Sequence, residues 1–497
     1  MEHPVNILLV YPKIPVTFWS FKYALRFISK KSVSPPLGLL TVAALLPSAW
    51  EKKLVDTNVG RLRDKDILWA DYVFISAMNI QKSAALGIIE RCRSLSRKVV
   101  AGGPMFTTDP EKFRDIDHFV LNEGELTLPR FLQDLAADDP QSCYTTRELA
   151  KLEYSPAPMI GLLKMNKYAS MSIQYSRGCP HNCEFCDITL LYGHKVRTKT
   201  SEQLIHELDC LYLAGWRDSV FIVDDNFIGN KRKLTEEILP AIIAWMTEHH
   251  YPFRFNTQTS IELADNEQLM ELMVKAGFCT VFIGIETPDK DSLAECNKHQ
   301  NIKCDLVASV HKIIKHGLTV QGGFIIGFDH DPLTIFESQI KFIQESGIVT
   351  AMVGLLNALP KTALYHRMVK EKRLIETSSG DNTDATINFL PRMQLNTLLN
   401  GYKKTLLTLY SPKKYFERLK TFLKLYHPAP FNNIRINFTD IVALLKTFFF
   451  VGVMSRMRFN FWSIFYWTLF VKPRLLKITI TYSIYGYHFR KIVNKHM

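Results

Sequence analysis

Eleven short apolar runs, most of them followed by an amphipathic stretch, restrict this chain to a fold of alternating strands and helices. Five fall in the first 140 residues: Asn6 to Val10, Lys53 to Asp56, Tyr72 to Ser76, Lys98 to Gly103 and His118 to Leu121. Unbroken Val, Ile and Leu bounded by Gly and Pro suits parallel strands buried on both faces, and so an open, doubly wound sheet. Pro36 to Leu46 reads as its first crossover helix. Ligands of such sheets lie beyond the carboxyl ends of the strands. There the chain places Asp56-Thr57-Asn58, Ser76-Ala77-Met78-Asn79, Gly102-Gly103-Pro104 and Asn122-Glu123-Gly124-Glu125. These read equally well as turn residues or as the small residues that let a flat, bulky ligand reach the backbone.

A polar connector at Asp138 to Ser142, then Ser155-Pro156-Ala157-Pro158, ends this first series. The second has strands at Ser172 to Tyr175, Val220 to Val223, Arg254 to Thr257, Val281 to Ile285, Gly323 to Ile326 and Ala351 to Leu356. Amphipathic stretches between them begin at Ser201, Lys233, Asn266, Asp305 and Thr334. Six such units predict a partial barrel, open on one side, with active residues at the carboxyl ends of its strands.

The loop after the first of these strands reads Arg177-Gly178-Cys179-Pro180-His181-Asn182-Cys183-Glu184-Phe185-Cys186. Its C-x3-C-x2-C spacing offers three thiolates and no fourth. Thiolates select soft metals and iron-sulfur clusters, and a four-iron cubane on three cysteines keeps one iron open. A structural zinc would need a fourth ligand and a second cysteine pair, and His181 inside the loop is the only nearby substitute. The other six cysteines are scattered and read as small apolar residues.

From Gly401 to Met497 the chain carries 17 Lys plus Arg against two acids, Glu417 and Asp440, so the net charge of +13 belongs to the tail. The tail also holds aromatic, apolar runs at Ile441 to Met454 and Phe461 to Val471, both shorter than the roughly 18 to 20 residues of a membrane span. Cysteine usage and the lack of a basic-then-apolar leader predict a reducing, cytoplasmic setting.

With these motifs in view, residues 1–400 resemble the cobalamin-dependent radical S-adenosylmethionine enzymes. The cysteine loop, with Phe185 before its last cysteine, looks like that family's cluster motif; the Pro35-Pro36-Leu37-Gly38-Leu39-Leu40 helix start, Gly102-Gly103-Pro104 and the Glu123-Gly124-Glu125 turn look like its cobalamin domain. Asp56-Thr57-Asn58-Val59-Gly60 lacks the histidine by which many cobalamin proteins ligate cobalt, which fits the radical methylases. Pro15 to Leu25, Cys186-Asp187-Ile188 and Phe221 to Arg232 are similar to the hopanoid methylase-like branch.

The resemblance implies a cobalamin-binding Rossmann-like domain at 1–145, a partial (β/α)6 radical barrel at 165–360 and a mainly helical, basic, aromatic-rich region at 361–497 for substrate or membrane contact. It implies a 4Fe-4S cluster on Cys179, Cys183 and Cys186, with S-adenosylmethionine at the open iron near Phe185. Asp225 would take the methionyl ammonium, and Gln258, Ser260, Gly284 and Glu286 the ribose and carboxylate end. Asp225 and Glu286 read alternatively as helix caps. Cobalamin would lie against Asn58, Ser76, Met78, Gly102, Gly103, Pro104, Glu123 and Gly124. Arg197 and Lys199 read either as neutralising cofactor charge or as a solvated loop face.

The implied reaction is radical C-methylation of an unactivated carbon in an apolar substrate, such as a hopanoid lipid, with flavodoxin or ferredoxin as electron donor. No side chain is assigned as nucleophile or general base. The basic tail adds an expectation of peripheral contact with the inner membrane face, against a buried helical cap or nucleic acid as alternatives. Two other readings stay open: radical oxidation, cyclisation or rearrangement of a pigment or secondary metabolite, and a non-catalytic cobalamin sensor or carrier.

Overall fold

The computed structural model describes residues 5–375, 380–381, 384–428 and 437–496. The chain forms two compact units, Met1–Pro15 with Lys31–Pro180 and Asp187–Val223, and Val16–Lys30 with His181–Cys186 and Asp224–Met497.

The first unit holds a parallel sheet of β1 (Asn6–Tyr11), β2 (Glu51–Asp56), β3 (Tyr72–Ser76), β4 (Lys98–Gly102), β5 (His118–Val120) and β6 (Cys143–Tyr144), in the order β2-β1-β3-β4-β5-β6. Alternate residues of each strand feed two cores. Leu8, Val10, Val73 and Ile75 pack with Ile88, Ile89 and Phe106 on one face. Ile7, Leu9, Phe74 and Val100 pack with Leu39, Leu128 and Phe131 on the other. Burial on both faces is why the runs are unbroken rather than alternating. β6 was not foreseen, because two residues after a polar connector carry no periodicity. It is held through Tyr144, whose ring meets Phe131 edge-on and whose hydroxyl donates to Asp134 at 2.9 Å.

All six strands expected of the second series form. β7 (Met171–Ile173) precedes an antiparallel pair, β8 (Ser176–Arg177) and β9 (Arg197–Thr198). β10 (Ser219–Ile222) pairs in parallel with β7 within the first unit. In the second unit β11 (Arg254–Thr259), β12 (Phe278–Glu286), β13 (Thr319–Ile326) and β14 (Thr350–Leu355) pair in parallel in sequence order. The helices between strands start where a polar side chain caps them. Asn266 accepts from the Leu269 N–H at 2.9 Å, and Asp305 from the Ala308 N–H at 3.0 Å; each such cap contributes about 1 kcal/mol.

The tail is helical at Leu395–Leu409, Pro412–Leu425, Phe438–Phe450, Arg458–Val471 and Leu476–His496. Not all of its positive charge reaches solvent. Arg418 is fully buried, donating to Gln344 at 2.6 Å and to the Leu409 carbonyl, with its guanidinium over the rings of Tyr410 and Tyr415.

Val16–Lys30 folds into the same unit as the tail. Phe18 stacks on Phe489 at 4.0 Å, and His488 links its carbonyl (2.9 Å from Nε2) to the Tyr23 N–H, which donates to Nδ1 at 3.4 Å. Burial pushes the His488 imidazole down to about 4. The neutral ring is what the native state holds, so the unfolded chain binds the extra proton between pH 6.5 and about 4. Stability from this site is complete above the unfolded value and lost as pH falls through that window, by about 3 kcal/mol. We expect the denaturant midpoint to fall between pH 7.5 and 5, and His488→Gln to flatten that slope.

Candidate functional site

In the second unit, the His181–Cys186 segment is held from three directions. The Glu184 carboxylate receives a two-pronged bond from Arg367, at 2.7 and 2.9 Å. Its N–H donates to the Cys296 carbonyl at 3.0 Å, and its carbonyl accepts from Leu364 at 3.0 Å. Arg367 also reaches Glu295 and Asp329, and Asp329 binds Arg373 as well. Arg367 and Arg373 thus serve four carboxylates, Glu184, Glu295, Asp329 and Glu371, in a half-buried network of charge-assisted hydrogen bonds. Phe185 faces Phe328, with ring centres 6.3 Å apart. A turn with the Cys186 N–H on the Cys183 carbonyl at 3.1 Å brings the last two cysteines together on the chain.

Cys179, Cys183 and Cys186 are free thiols of intermediate burial. Burial pushes the Cys183 thiol up, while the Lys298 ammonium opposes this. Among the described residues, no group of three or more His, Cys, Asp and Glu side chains is gathered closely enough to grip a metal ion. The donor set still fits an iron-sulfur cluster: three thiols share one loop, outside any disulfide, with soft-metal chemistry. A further thiol, the buried Cys296, lies near enough to Cys183 to interact with it electrostatically. His181 Nε2 lies buried, 3.3 Å from the Glu262 carboxylate, without a hydrogen bond to it.

The expected S-adenosylmethionine residues of this unit occupy strand ends. Asp225 is half-buried, and next to it the buried Asn226 accepts from the Ser260 N–H at 3.3 Å, tying the chain after β10 to the end of β11. Asn226 was not singled out from the sequence. Gln258 is half-buried on β11, and the Ser260 hydroxyl donates to Glu262 at 2.9 Å. At the end of β12, Glu286 adopts a left-handed φ of 64° after a register shift. Such backbone persists only when its surroundings hold it. Gln339 donates to the Glu286 carbonyl at 3.1 Å, and Asn301 donates to the carbonyls of Gly284 and Ile285. The buried Glu286 carboxylate is paired with Lys298 at 2.7 Å. Burial pulls the Lys298 ammonium down, but Glu286 more than offsets this and it stays charged. A Cβ at Gly284 would meet Glu286 Oε1 and Lys298 Nζ, so a side chain there would displace this ion pair.

In the first unit, the residues expected at cobalamin lie at the carboxyl ends of β2 to β5. The Asn58 amide is already engaged: it donates to Asp56 at 2.7 Å and accepts from the Ile14 N–H at 2.8 Å. Asp56 is buried with Tyr168, whose hydroxyl donates to it at 2.9 Å, and desolvation raises the Asp56 carboxyl. Ser76 is half-buried at the end of β3 and Met78 is exposed, its N–H held by Gln81. Gly103 has φ 86°, and a Cβ there would meet Ser76 Oγ at 2.5 Å. Gly102 passes as close to the Val120 carbonyl, and Pro104 starts the helix Pro104–Thr108. Gly124 opens the helix Gly124–Ala136.

The Glu123-Gly124-Glu125 turn makes ion pairs that local sequence does not announce. The Glu123 carboxylate accepts from Arg177 at 3.1 Å, from Arg197 at 2.8 and 2.9 Å, and from the Ala150 N–H at 2.5 Å. Glu125 binds Arg177 at 2.7 and 3.1 Å and accepts from Ser155. Burial alone would raise the Glu125 carboxyl, but Arg177 holds it below its usual range. The turn therefore grips β8 and β9, beside Gly178 and Cys179. Arg197 is neither a solvated loop residue nor left free for cofactor charge, because Glu123 neutralises it. Lys199 is likewise buried and paired with Glu207.

The chain matches the B12 binding domain over residues 25–132, the Radical SAM superfamily over 173–343 and a domain of unknown function over 362–497. It is 42% identical to an uncharacterized methyltransferase of Synechocystis sp., over 99% of this chain and 93% of that one. It is 33% identical to the hopanoid C-2 methylase of Rhodopseudomonas palustris, over 92% and 88%. Its fold matches the cobalamin-dependent S-adenosylmethionine radical enzyme OxsB with aqua-cobalamin bound, at TM-score 0.65 and 15% identity, over 99% of this chain and 85% of that one.

Proposed function

Because the chain belongs to the cobalamin-dependent radical S-adenosylmethionine methyltransferases, in the branch that includes hopanoid C-2 methylase, we propose that it methylates an unactivated carbon of an apolar, hopanoid-class lipid. Its cofactors are a 4Fe-4S cluster, S-adenosylmethionine and cobalamin. Together they supply cleavage of a sulfonium bond, hydrogen removal from carbon and a transferable methyl group. The protein's share is to bind, orient and exclude water.

Cys179, Cys183 and Cys186 would hold the cluster and leave one iron to S-adenosylmethionine. Asp225, Gln258, Ser260, Gly284 and Glu286 would seat it. Asn58, Ser76, Met78 and the Gly102-Gly103-Pro104 turn would receive cobalamin. A flavodoxin or ferredoxin would deliver the electron, in the cytoplasm at the inner face of the membrane.

The observation that carries the lipid reading is a small apolar cluster about Phe282 on β12, flanked in register by Gln258 and Gln321. Val281, Ile283 and Ile285 are buried, whereas Phe282 alternates with them on the strand face shared with Gly284. Trp19 meets Phe282 edge-on at 5.5 Å, and its indole N–H donates to the Met352 sulfur. Two aromatics and a thioether suit a rigid hydrocarbon skeleton and offer little to a charged substrate. Reduced holoenzyme given methyl-labelled S-adenosylmethionine and a hopanoid is expected to label the lipid, with Trp19→Ala raising KM roughly tenfold, the loss of one large apolar contact. Release of 5′-deoxyadenosine without a methylated product would sink methyl transfer in favour of oxidation, cyclisation or rearrangement.

A further inference from the structure

The two tail helices Phe438–Phe450 and Arg458–Val471 each have a closed inner face and an uncovered outer one. Inward, Ala443 and Thr447 are buried on the first helix, and Phe461, Ile464, Phe465 and Thr468 on the second. Thr447 and Thr468 donate to carbonyls of their own helix, and the Trp462 N–H is taken by the Gly452 carbonyl at 2.9 Å. Nothing polar on that side asks for a partner.

Outward, the first helix presents Phe438, Ile441, Leu445 and Phe449, spaced three, four and four residues apart along one stripe. Phe438 is 79% exposed. The stripe runs on through Phe450 at the end of the helix and Val453 and Met454 in the connector. On the second helix Phe459, Tyr466 and Phe470 repeat the pattern at seven and four, with Phe459 75% and Phe470 79% exposed. Single exposed apolar residues are ordinary, but contiguous stripes mark an interaction surface.

We infer that these stripes are a membrane-docking face that lies in the headgroup region of an anionic bilayer. Charge decides the occupant. Between residues 437 and 477 there are six Lys or Arg and one Asp, and that Asp440 is already paired with Lys477 at 2.8 Å. Arg456, Arg458 and Arg474 are exposed beside the aromatic stripes. Aromatics at headgroup depth with cations on phosphate is the chemistry of interfacial helices. A second copy of the chain would bring two cationic rims together, which opposes self-association through this face. The helices lie on the membrane rather than cross it, since among the described residues no helix is long and apolar enough to span.

This inference rests on the lipid-substrate reading only for its purpose; the surface stands on the residues above. The test is flotation of the full-length protein with vesicles of phosphatidylcholine, with and without phosphatidylglycerol. Wild type is expected to float with the anionic vesicles and less so at high salt, because headgroup attraction is screened. Phe449→Glu and Phe470→Glu, on different helices, should each float at least roughly tenfold less. A folding defect in one still leaves the other as the test. Wild type that stays unbound at low salt overturns the inference, as does undiminished flotation of both variants, or a wild-type dimer in sedimentation that either variant converts to monomer. Methyl incorporation into a detergent-dispersed hopanoid is scored separately. Flotation without methylation counts against the substrate reading, and methylation without flotation against the surface.

Discussion

Cys183→Ala is expected to lose its iron and to reduce methyl transfer by a thousandfold or more, on the order of what cofactor chemistry supplies when no side chain can replace it. The thiol lies in the loop that Glu184 and Phe185 fix in place, with Lys298 opposing the burial that would keep it protonated. With the loop otherwise intact, removing the thiol takes away a ligand without disturbing the Glu184–Arg367 anchor. Iron and sulfide content and the cluster's visible absorption measure the first effect, and labelled methyl transfer the second. Cys143→Ala, an exposed cysteine far along the chain from the loop, serves as the control and should change neither. Full iron retention by Cys183→Ala would overturn the assignment of the cluster to this loop. Zinc in place of iron in the wild-type protein would revive the structural-metal alternative.

The strands were legible because hydrophobic periodicity is local. Continuous runs such as Asn6 to Val10 announce burial on both faces, and two cores do lie against them. The cysteine loop was legible for the same reason: its three ligands are separated by only a few residues. What holds the loop was not. Glu184 and Arg367 are 183 residues apart, and nothing in either neighbourhood pairs them. Arg418 shows the complementary failure, since a count of tail cations cannot tell a buried guanidinium over Tyr410 and Tyr415 from one facing solvent. The tail aromatics were read as one population. They divide into an inner set, with Phe461 and Phe465, and an outer set, with Phe459 and Phe470, at helical spacing within a single helix. Sequence leaves Arg197 open between cofactor and solvent because its partner, Glu123, is 74 residues away.

Glu123→Gln separates the two roles that this turn could play. The wild-type carboxylate is buried and takes four N–H donors, from Arg177, Arg197 and Ala150. Glutamine keeps the shape but removes the charge, and its amide turns a donor toward guanidinium groups that are donors themselves. The half-buried Arg197 loses its only carboxylate partner among the described ion pairs but keeps the Ala150 and Tyr192 carbonyls, and Arg177 keeps Glu125. Breaking one partner of a buried pair costs about 3 to 5 kcal/mol, and Glu125 should hold this case near the lower figure. The denaturant midpoint of the apo-protein should fall accordingly. Iron loading should fall with it, because Arg177 stands two residues before Cys179 and the turn fixes the strand from which the cluster loop departs. Cobalamin binding provides the contrast. If the Glu123 side chain contacts cobalamin, the variant should lose cobalamin affinity at unchanged stability. If its work is to clamp β8 and β9, stability and iron should fall together while cobalamin still binds to the protein that remains folded.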